Sequence, residues 1–239
     1  MNPFDSGRHA LSRREFLAAS GALIIGFSLA SSSLRAQKPP GPKLPGSLDA
    51  NPMLDSWIRI DADGSISVFT GKAELGQGVK TALIQIAAEQ LYVPPQRIRL
   101  ITADTRQTPD EGYTAGSNSM KDSGTAIMNA AAQVREILIA RASERLAVAA
   151  DRLKAQDGAV VTDDGRRLGF GELVGDSLTR VRADGQSKLK DPATYSVVGK
   201  AMPRVDIPAK VTGGVAYVQD LRLPGMVHAR VVRPPTLDS

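Results

Sequence analysis

The sequence predicts an α+β fold, and three observations carry that expectation. A strand-like alternation from Trp57 to Phe69 passes through an Asp63-Gly64 turn, and a glycine-flanked stretch from Gly71 to Thr81 hands it over to a helical pattern. The clearest helical stripe in the chain then runs from Ser123 to Leu146. Strand, loop and helix thus follow one another twice before a short sheet-like stretch.

The amino terminus reads as targeting sequence. Ser12-Arg13-Arg14-Glu15-Phe16-Leu17 is a twin-arginine pattern, followed by an apolar run from Ala18 to Ala30 and small residues up to Ala36, where cleavage is expected. Residues 1–36 are therefore expected to be a signal peptide, with the twin-arginine translocase as export partner and the periplasm as compartment. An uncleaved anchor is the competing reading, but the run falls short of the roughly 20 apolar residues a span needs. Residues 37–54 contain Pro39, Pro40, Pro42, Pro45 and Pro52 and are expected to form an irregular linker, with order beginning near Asp55.

In the hairpin, Ile58, Ile60, Ile66 and Val68 share one face and Arg59, Asp61, Ser65 and Ser67 the other. The next helix carries Val79, Ala82, Leu83, Ile86, Ala87 and Leu91 at helical spacing and stops before Pro94-Pro95. Ile98, Leu100 and Thr102 suggest another strand. The long helix has a buried stripe of Ile127, Ala130, Ala131, Val134, Ile137, Leu138 and Leu146, with Arg135, Glu136, Arg141 and Glu144 expected to be solvated. Residues 153–155 and 159–162, with the Asp163-Asp164-Gly165 turn, read as a short sheet, and Gly171 to Val174 as a single helical turn. From Ser177 to Tyr195 the sequence is polar and irregular.

Two loops are candidate binding elements. In the first, Leu75, Gly76, Gln77 and Gly78 place glycines on either side of an amide, so the backbone can approach a ligand closely. The first N–H groups of the helix starting near Val79 would point at a bound group, and Gln77 can donate and accept. A plain turn or helix start would give the same spacing. In the second, Gly116, Ser117, Asn118 and Ser119 combine hydroxyls with N–H groups ahead of a helix, which suits either an anion site or a helix cap.

Composition narrows the chemistry. The net charge of +5 is scattered and aromatic residues make up 4% of the chain, so no nucleic-acid partner is expected. With no cysteine the sequence offers no ligand for an iron–sulfur cluster, zinc ribbon or haem attachment. His9 falls in the leader, and His228 lies in Met226–Val232, which reads as a strand with alternating faces and gives that histidine a structural role. Ser187-Lys188-Leu189-Lys190 matches a Ser-x-x-Lys hydrolase pattern, but Asp191-Pro192 follows at once where those enzymes have a helix.

With both loops in view, the sequence resembles the molybdenum hydroxylases, the family of xanthine dehydrogenase and aldehyde oxidase. Within it, the sequence resembles the large subunits of isoquinoline 1-oxidoreductase and related periplasmic aldehyde dehydrogenases. The likeness rests on Glu74-Leu75-Gly76-Gln77-Gly78, on Thr114-Ala115-Gly116-Ser117-Asn118-Ser119, and on the Trp57–Val68 hairpin and the Asp104-Thr105 and Thr108-Pro109-Asp110 lead. Further on, residues 203–213 and 219–226 are similar to the opening of that family's a/b hammerhead domain.

The resemblance implies a molybdopterin-binding domain segment over 55–200, built of strand-loop-helix units, and the start of an a/b hammerhead domain over 201–239. It implies that Leu75, Gly76, Gln77, Gly78, Gly116, Ser117, Asn118 and Ser119 hold molybdopterin, in its cytosine dinucleotide form. It further implies oxidation of an N-heteroaromatic or aldehyde substrate, electron transfer to [2Fe-2S] clusters on a small partner subunit, and a cytochrome c as a further acceptor. The family's catalytic glutamate lies in a distant carboxy-terminal segment with no counterpart here, so no catalytic or metal-ligating residue is assigned. Glu74 could equally serve as a helix cap or ion-pair partner. The alternative function is an exported, non-catalytic binding or assembly module in which both loops are turns and caps.

Overall fold

A computed structural model of the chain describes residues 43–174, 180–233 and 236. The expected leader and the first part of the linker lie outside these residues. The chain divides into two units, Met1–Lys43 and Leu44–Ser239, and the fold described is that of the second.

Strands β1 (Ile58–Ile60) and β2 (Ile66–Thr70) form the expected antiparallel hairpin, with Ile58 opposite Val68 and Ile60 opposite Ile66. Its turn is closed by Asp63, whose Oδ1 accepts the Ser65 N–H at 2.8 Å. β2 also pairs in parallel with β3 (Ile98–Thr102), bringing Thr70 opposite Thr102. A parallel pair requires a crossover, and helix α1 (Val79–Leu91) supplies it. α1 ends where Tyr92 turns left-handed at φ 56° and Pro94-Pro95 bar continuation.

Helix α2 (Thr125–Leu146) is entered through a wider, π-type turn at Met120–Gly124. It packs against α1 over a core in which Leu83, Ala87, Leu91, Ile127, Ala130, Ala131, Val134 and Leu138 are fully buried. Trp57 is also buried, and its indole N–H donates to the Asn51 carbonyl at 2.9 Å, so the ring enters the core without an unpaired donor. A second, antiparallel sheet follows from β4 (Leu153–Gln156), β5 (Ala159–Thr162) and β6 (Arg167–Gly169), with the short helix α3 (Phe170–Val174) after it. A last short helix, α4, spans Ile207–Val211. Among the described residues, no helix is long and apolar enough to cross a membrane.

Three expectations are corrected. Order begins by Leu44, not near Asp55: Leu44 and Leu48 are buried, and Gly46–Leu48 makes a turn against the start of α2. A Cβ on Gly46 would lie 2.3 Å from the Asp122 carbonyl, so only glycine permits this approach. Proline alone suggested a linker, but Pro45 at φ −67° only fixes direction, and the flanking leucines supply burial that stabilises the turn.

Arg135 is buried rather than solvated, at 8% exposure. Its guanidinium donates to the Gln90 carbonyl at 2.9 Å and to the Lys188 carbonyl, and lies 5.6 Å from the Tyr92 ring centre. The cause is the polar stretch after Arg180, which folds back over α2: Lys188 N–H reaches Glu136 at 2.7 Å and Asp184 N–H reaches Gln133 at 3.1 Å. Helical periodicity marks which face is polar, not what later sequence covers it.

Residues 226–232 form no strand among the described residues, and Val227, His228 and Val231 are exposed. Alternation describes a chain able to pair, whereas a strand needs a partner's backbone groups. Among the described residues His228 therefore packs in no sheet.

Candidate functional site

Both candidate loops hang from the ends of the first sheet and are tied to each other. The first leaves β2 at Thr70 and the second ends in the turn before α2. Ala73 N–H donates to Thr114 Oγ1 at 2.8 Å, and the Lys72 ammonium donates to the carbonyls of Glu111 at 2.6 Å and Tyr113 at 3.2 Å. Lys72 is 3% exposed, so this buried cation acts as a fixed strut between the loops. Gly71 allows the approach, since a Cβ there would lie 2.3 Å from the Pro109 carbonyl.

Glu111 organises the point where the loops diverge. Its Oε2 accepts from Thr70 Oγ1 at 2.8 Å, Gly71 N–H at 2.8 Å and Ser123 Oγ at 3.1 Å, and the two hydroxyls lie 2.7 Å apart. Thr70 and Ser123 are fully buried, so one carboxylate oxygen links β2, the first loop and the approach to α2. Sequence reasoning passed over Lys72, Thr70, Glu111 and Ser123. The available signal was a lysine placed directly behind a strand-ending glycine.

Glu74 caps the first loop. Its Oε1 accepts the N–H groups of Gly76 at 2.8 Å and Gly78 at 2.9 Å, and its Oε2 accepts the Lys80 N–H at 3.0 Å. Burial pushes the Glu74 carboxyl up, but the Lys80, Gly78 and Gly76 N–H donors outweigh it and hold the group below its ordinary value. The sequence had suggested that N–H groups at the start of α1 would be open to a ligand. The Gly78 and Lys80 donors are already engaged by a carboxylate, so they are not open to a second anion at that turn.

Gln77 is turned partly onto its own loop: its Oε1 accepts the Leu75 N–H at 2.5 Å and its Nε2 donates to the Ala73 carbonyl at 2.9 Å. An amide has two donors and two acceptor lone pairs, so one of each stays available on this exposed side chain. Gly78, at φ 84°, stands as the left-handed residue just before α1.

The loops share one cleft of about 290 Å³, lined by Gln77, Gly78, Val79, Ala82, Ser117, Ser119 and Met120. Four of the eight residues singled out from the sequence are thus brought together. The other four do not line it: Leu75 is 71% exposed, and Gly76, Gly116 and Asn118 face solvent on the loop crests. Gly116 and Ser117 take successive left-handed conformations, at φ 65° and 57°. Among the described residues, neither the Ser117 nor the Ser119 hydroxyl has a hydrogen-bond partner.

A larger hollow of about 560 Å³ lies around Tyr92, at the opposite end of α1 from Gly78. Its central cations are engaged: Arg135 by backbone carbonyls, Lys190 by Glu89 and by the Tyr92 ring face, 4.3 Å from the ammonium to the ring centre. Glu89 also accepts the N–H groups of Ser196, Val197 and Val198. Burial raises the Glu89 carboxyl, but Lys190 and these three donors bring it down to about 2. The hollow is a structural seam, and Lys190 is not free to serve Ser187 as a base.

Compared with known proteins, residues 15–215 match the family model described as a molybdopterin cofactor-binding domain. The chain is 35% identical to a nicotinate dehydrogenase subunit of Pseudomonas putida, over 94% of the chain and 18% of that protein. It is 29% identical to the beta subunit of isoquinoline 1-oxidoreductase from Brevundimonas diminuta, over 94% of the chain and 34% of the relative. It is also 29% identical to the membrane-bound aldehyde dehydrogenase (pyrroloquinoline-quinone) of Gluconacetobacter polyoxogenes, over 95% and 30% respectively. The chain thus spans about a third or less of the length of these relatives.

Proposed function

The chain belongs to the family of molybdopterin cofactor-binding domains, and from that premise we propose that its two tied loops form one wall of a pterin site in a molybdenum hydroxylase-type oxidoreductase. The observation that carries this reading is the cleft shared by Gln77, Gly78, Ser117 and Ser119. Its size falls just below the range of about 300–1,000 Å³ for whole small-molecule sites, which suits one wall of a site completed by other parts of the enzyme.

The residues present fit a pterin edge. Gly78 puts no side chain into the cleft, Val79 and Ala82 give an apolar floor, and Ser117 and Ser119 bring hydroxyls with no partner among the described residues. Gln77 keeps one donor and one acceptor to offer while its other two hydrogen bonds hold the loop in shape. Leu75, Gly76, Gly116 and Asn118 would meet the cofactor from the crests. Because Glu74 already takes the Gly78 and Lys80 N–H donors of the turn before α1, the anionic part of the cofactor would be received on the Ser117–Ser119 side. When bound, the cofactor would supply the redox chemistry, accepting two electrons while water supplies the oxygen.

Substrate and context are read from the relatives. Two of them are named for N-heteroaromatic compounds and one for aldehydes, which supports N-heteroaromatic or aldehyde substrates for this enzyme. Two are named as subunits, which supports a partner subunit for this chain; a small subunit carrying the [2Fe-2S] clusters, with a cytochrome c as a further acceptor, belongs to the same reading. The Ser12–Leu17 pattern supports twin-arginine export and a periplasmic location, with residues 1–36 removed. Residues 55–200 for cofactor binding, extended back to the packed turn at Leu44, and 201–239 for the start of the a/b hammerhead domain belong to the same reading, as does the cytosine dinucleotide form.

The test is to purify the complete enzyme containing this chain from cells that make the cofactor and to measure molybdenum and pterin per chain. Stoichiometric pterin, reduced in the Ser117→Ala/Ser119→Ala double variant, is the expected result. A wild-type enzyme without pterin, or a double variant that retains it as firmly as wild type, would overturn the reading.

A further inference from the structure

Residues 203–206 close over the glycine loop from a distant part of the chain. Arg204 Nη1 donates to the Gly76 carbonyl at 2.7 Å across 128 residues of sequence, and Nη2 lies 3.5 Å from Glu74 Oε1. The same guanidinium is held as a fork on Asp206, with Nε to Oδ1 at 3.0 Å and Nη2 to Oδ2 at 2.7 Å, and Lys210 reaches Asp206 at 2.7 Å. Next to it, Val205 N–H donates to Thr81 Oγ1 at 3.1 Å in the first turn of α1. The segment therefore grips the loop at its crest and at the helix it leads into.

The loop needs such a grip. Gly76 and Gly78 are both at positive φ, 105° and 84°, and glycine loses more backbone freedom on ordering than any other residue. Packing does not hold Gly76, because among the described residues nothing lies within 4 Å of the position a Cβ would take. Hydrogen bonds must do it: Glu74 fixes the N–H groups, and Arg204 fixes the Gly76 carbonyl while offsetting the charge of Glu74. A lysine can replace it only in part, since a single ammonium keeps the charge but lacks the planar set of donors that spans two carboxylates and a carbonyl.

We infer that Arg204 is a positioning residue for the cofactor cradle: by bridging the Gly76 carbonyl, Glu74 and Asp206, it sets the Gly76–Gly78 backbone against the cleft shared with Ser117 and Ser119. This rests on the reading of that cleft as a pterin site. It makes the segment beginning at Pro203 a working part of the first loop.

The test compares Arg204→Ala, Arg204→Lys and, as control, Arg222→Ala, whose side chain bonds the nearby carbonyls of Gln219 and Leu221. In the complete enzyme, amide hydrogen exchange at Gly76–Val79 and pterin retained per chain are both measured. Arg204→Ala is expected to speed exchange at these amides about tenfold, with β2 and β3 unchanged, and to lower pterin retention several-fold. Arg204→Lys is expected to recover only part of either, and Arg222→Ala to match wild type. Unchanged loop exchange in Arg204→Ala would overturn the inference, as would faster exchange with full pterin retention. A wild-type enzyme that retains no pterin would overturn the cofactor reading itself, and the exchange comparison would still decide whether Arg204 sets the loop.

Discussion

Ala73 and Thr114, 41 residues apart, are joined by a 2.8 Å hydrogen bond from the backbone N–H of one to the hydroxyl of the other. That bond, with the Lys72 strut beside it, makes two separate sequence motifs one structural unit. Replacing Thr114 by valine keeps the shape and removes the acceptor, leaving the Ala73 N–H without its partner. A loss of about 1 kcal/mol in denaturant unfolding is expected, with Thr114→Ser close to wild type.

Gly78 is required by its backbone and not by crowding. At φ 84° a side chain is strained, while the nearest atom to an added Cβ would be Arg204 Nε at an ordinary 3.7 Å. Gly78→Ala is therefore expected to cost about 1–2 kcal/mol of stability, measurable by denaturant unfolding. A cost near zero would show that the loop relaxes into another conformation.

Which parts of this were legible in the sequence follows from how local each signal is. The hairpin around Asp63-Gly64, α1 up to Pro94 and the α2 stripe could be read because their period and punctuation lie within the element itself. So could the two glycine-and-serine loops. The roles of Arg135, Glu111 and Arg204 could not, because each is set by partners 12 to 128 residues away. The sequence showed Gln77 between glycines, but it could not show that half of its hydrogen-bonding capacity is spent within the loop.

Glu111→Ala should test the node behind the loops. It removes the acceptor of Gly71 N–H and the shared acceptor of the buried Thr70 and Ser123 hydroxyls. A loss of about 2–3 kcal/mol is expected in thermal or denaturant unfolding, with Glu111→Gln losing less because one acceptor oxygen remains.

Acid should release the 190–198 stretch from α1. Glu89 stays ionised in the folded chain down to about 2, whereas its ordinary value is 4.5. A lowered folded-state value means that the stability from Glu89 is complete above about pH 4.5 and disappears as the pH falls toward 2. Glu89→Gln, which leaves Lys190 buried without its counter-charge, is expected to cost about 3 kcal/mol at pH 6. Unfolding midpoints of the two proteins at pH 6, 4 and 3 should converge toward the acid end; a constant difference would rule out this linkage.

The most direct measurement of the account is amide hydrogen exchange in the complete enzyme, compared between its cofactor-loaded and cofactor-stripped forms. Slower exchange on loading is expected at both Gly76–Val79 and Ser117–Met120, because both loops face the same cleft. Slowing at only one of the two loops, or at neither, would contradict it.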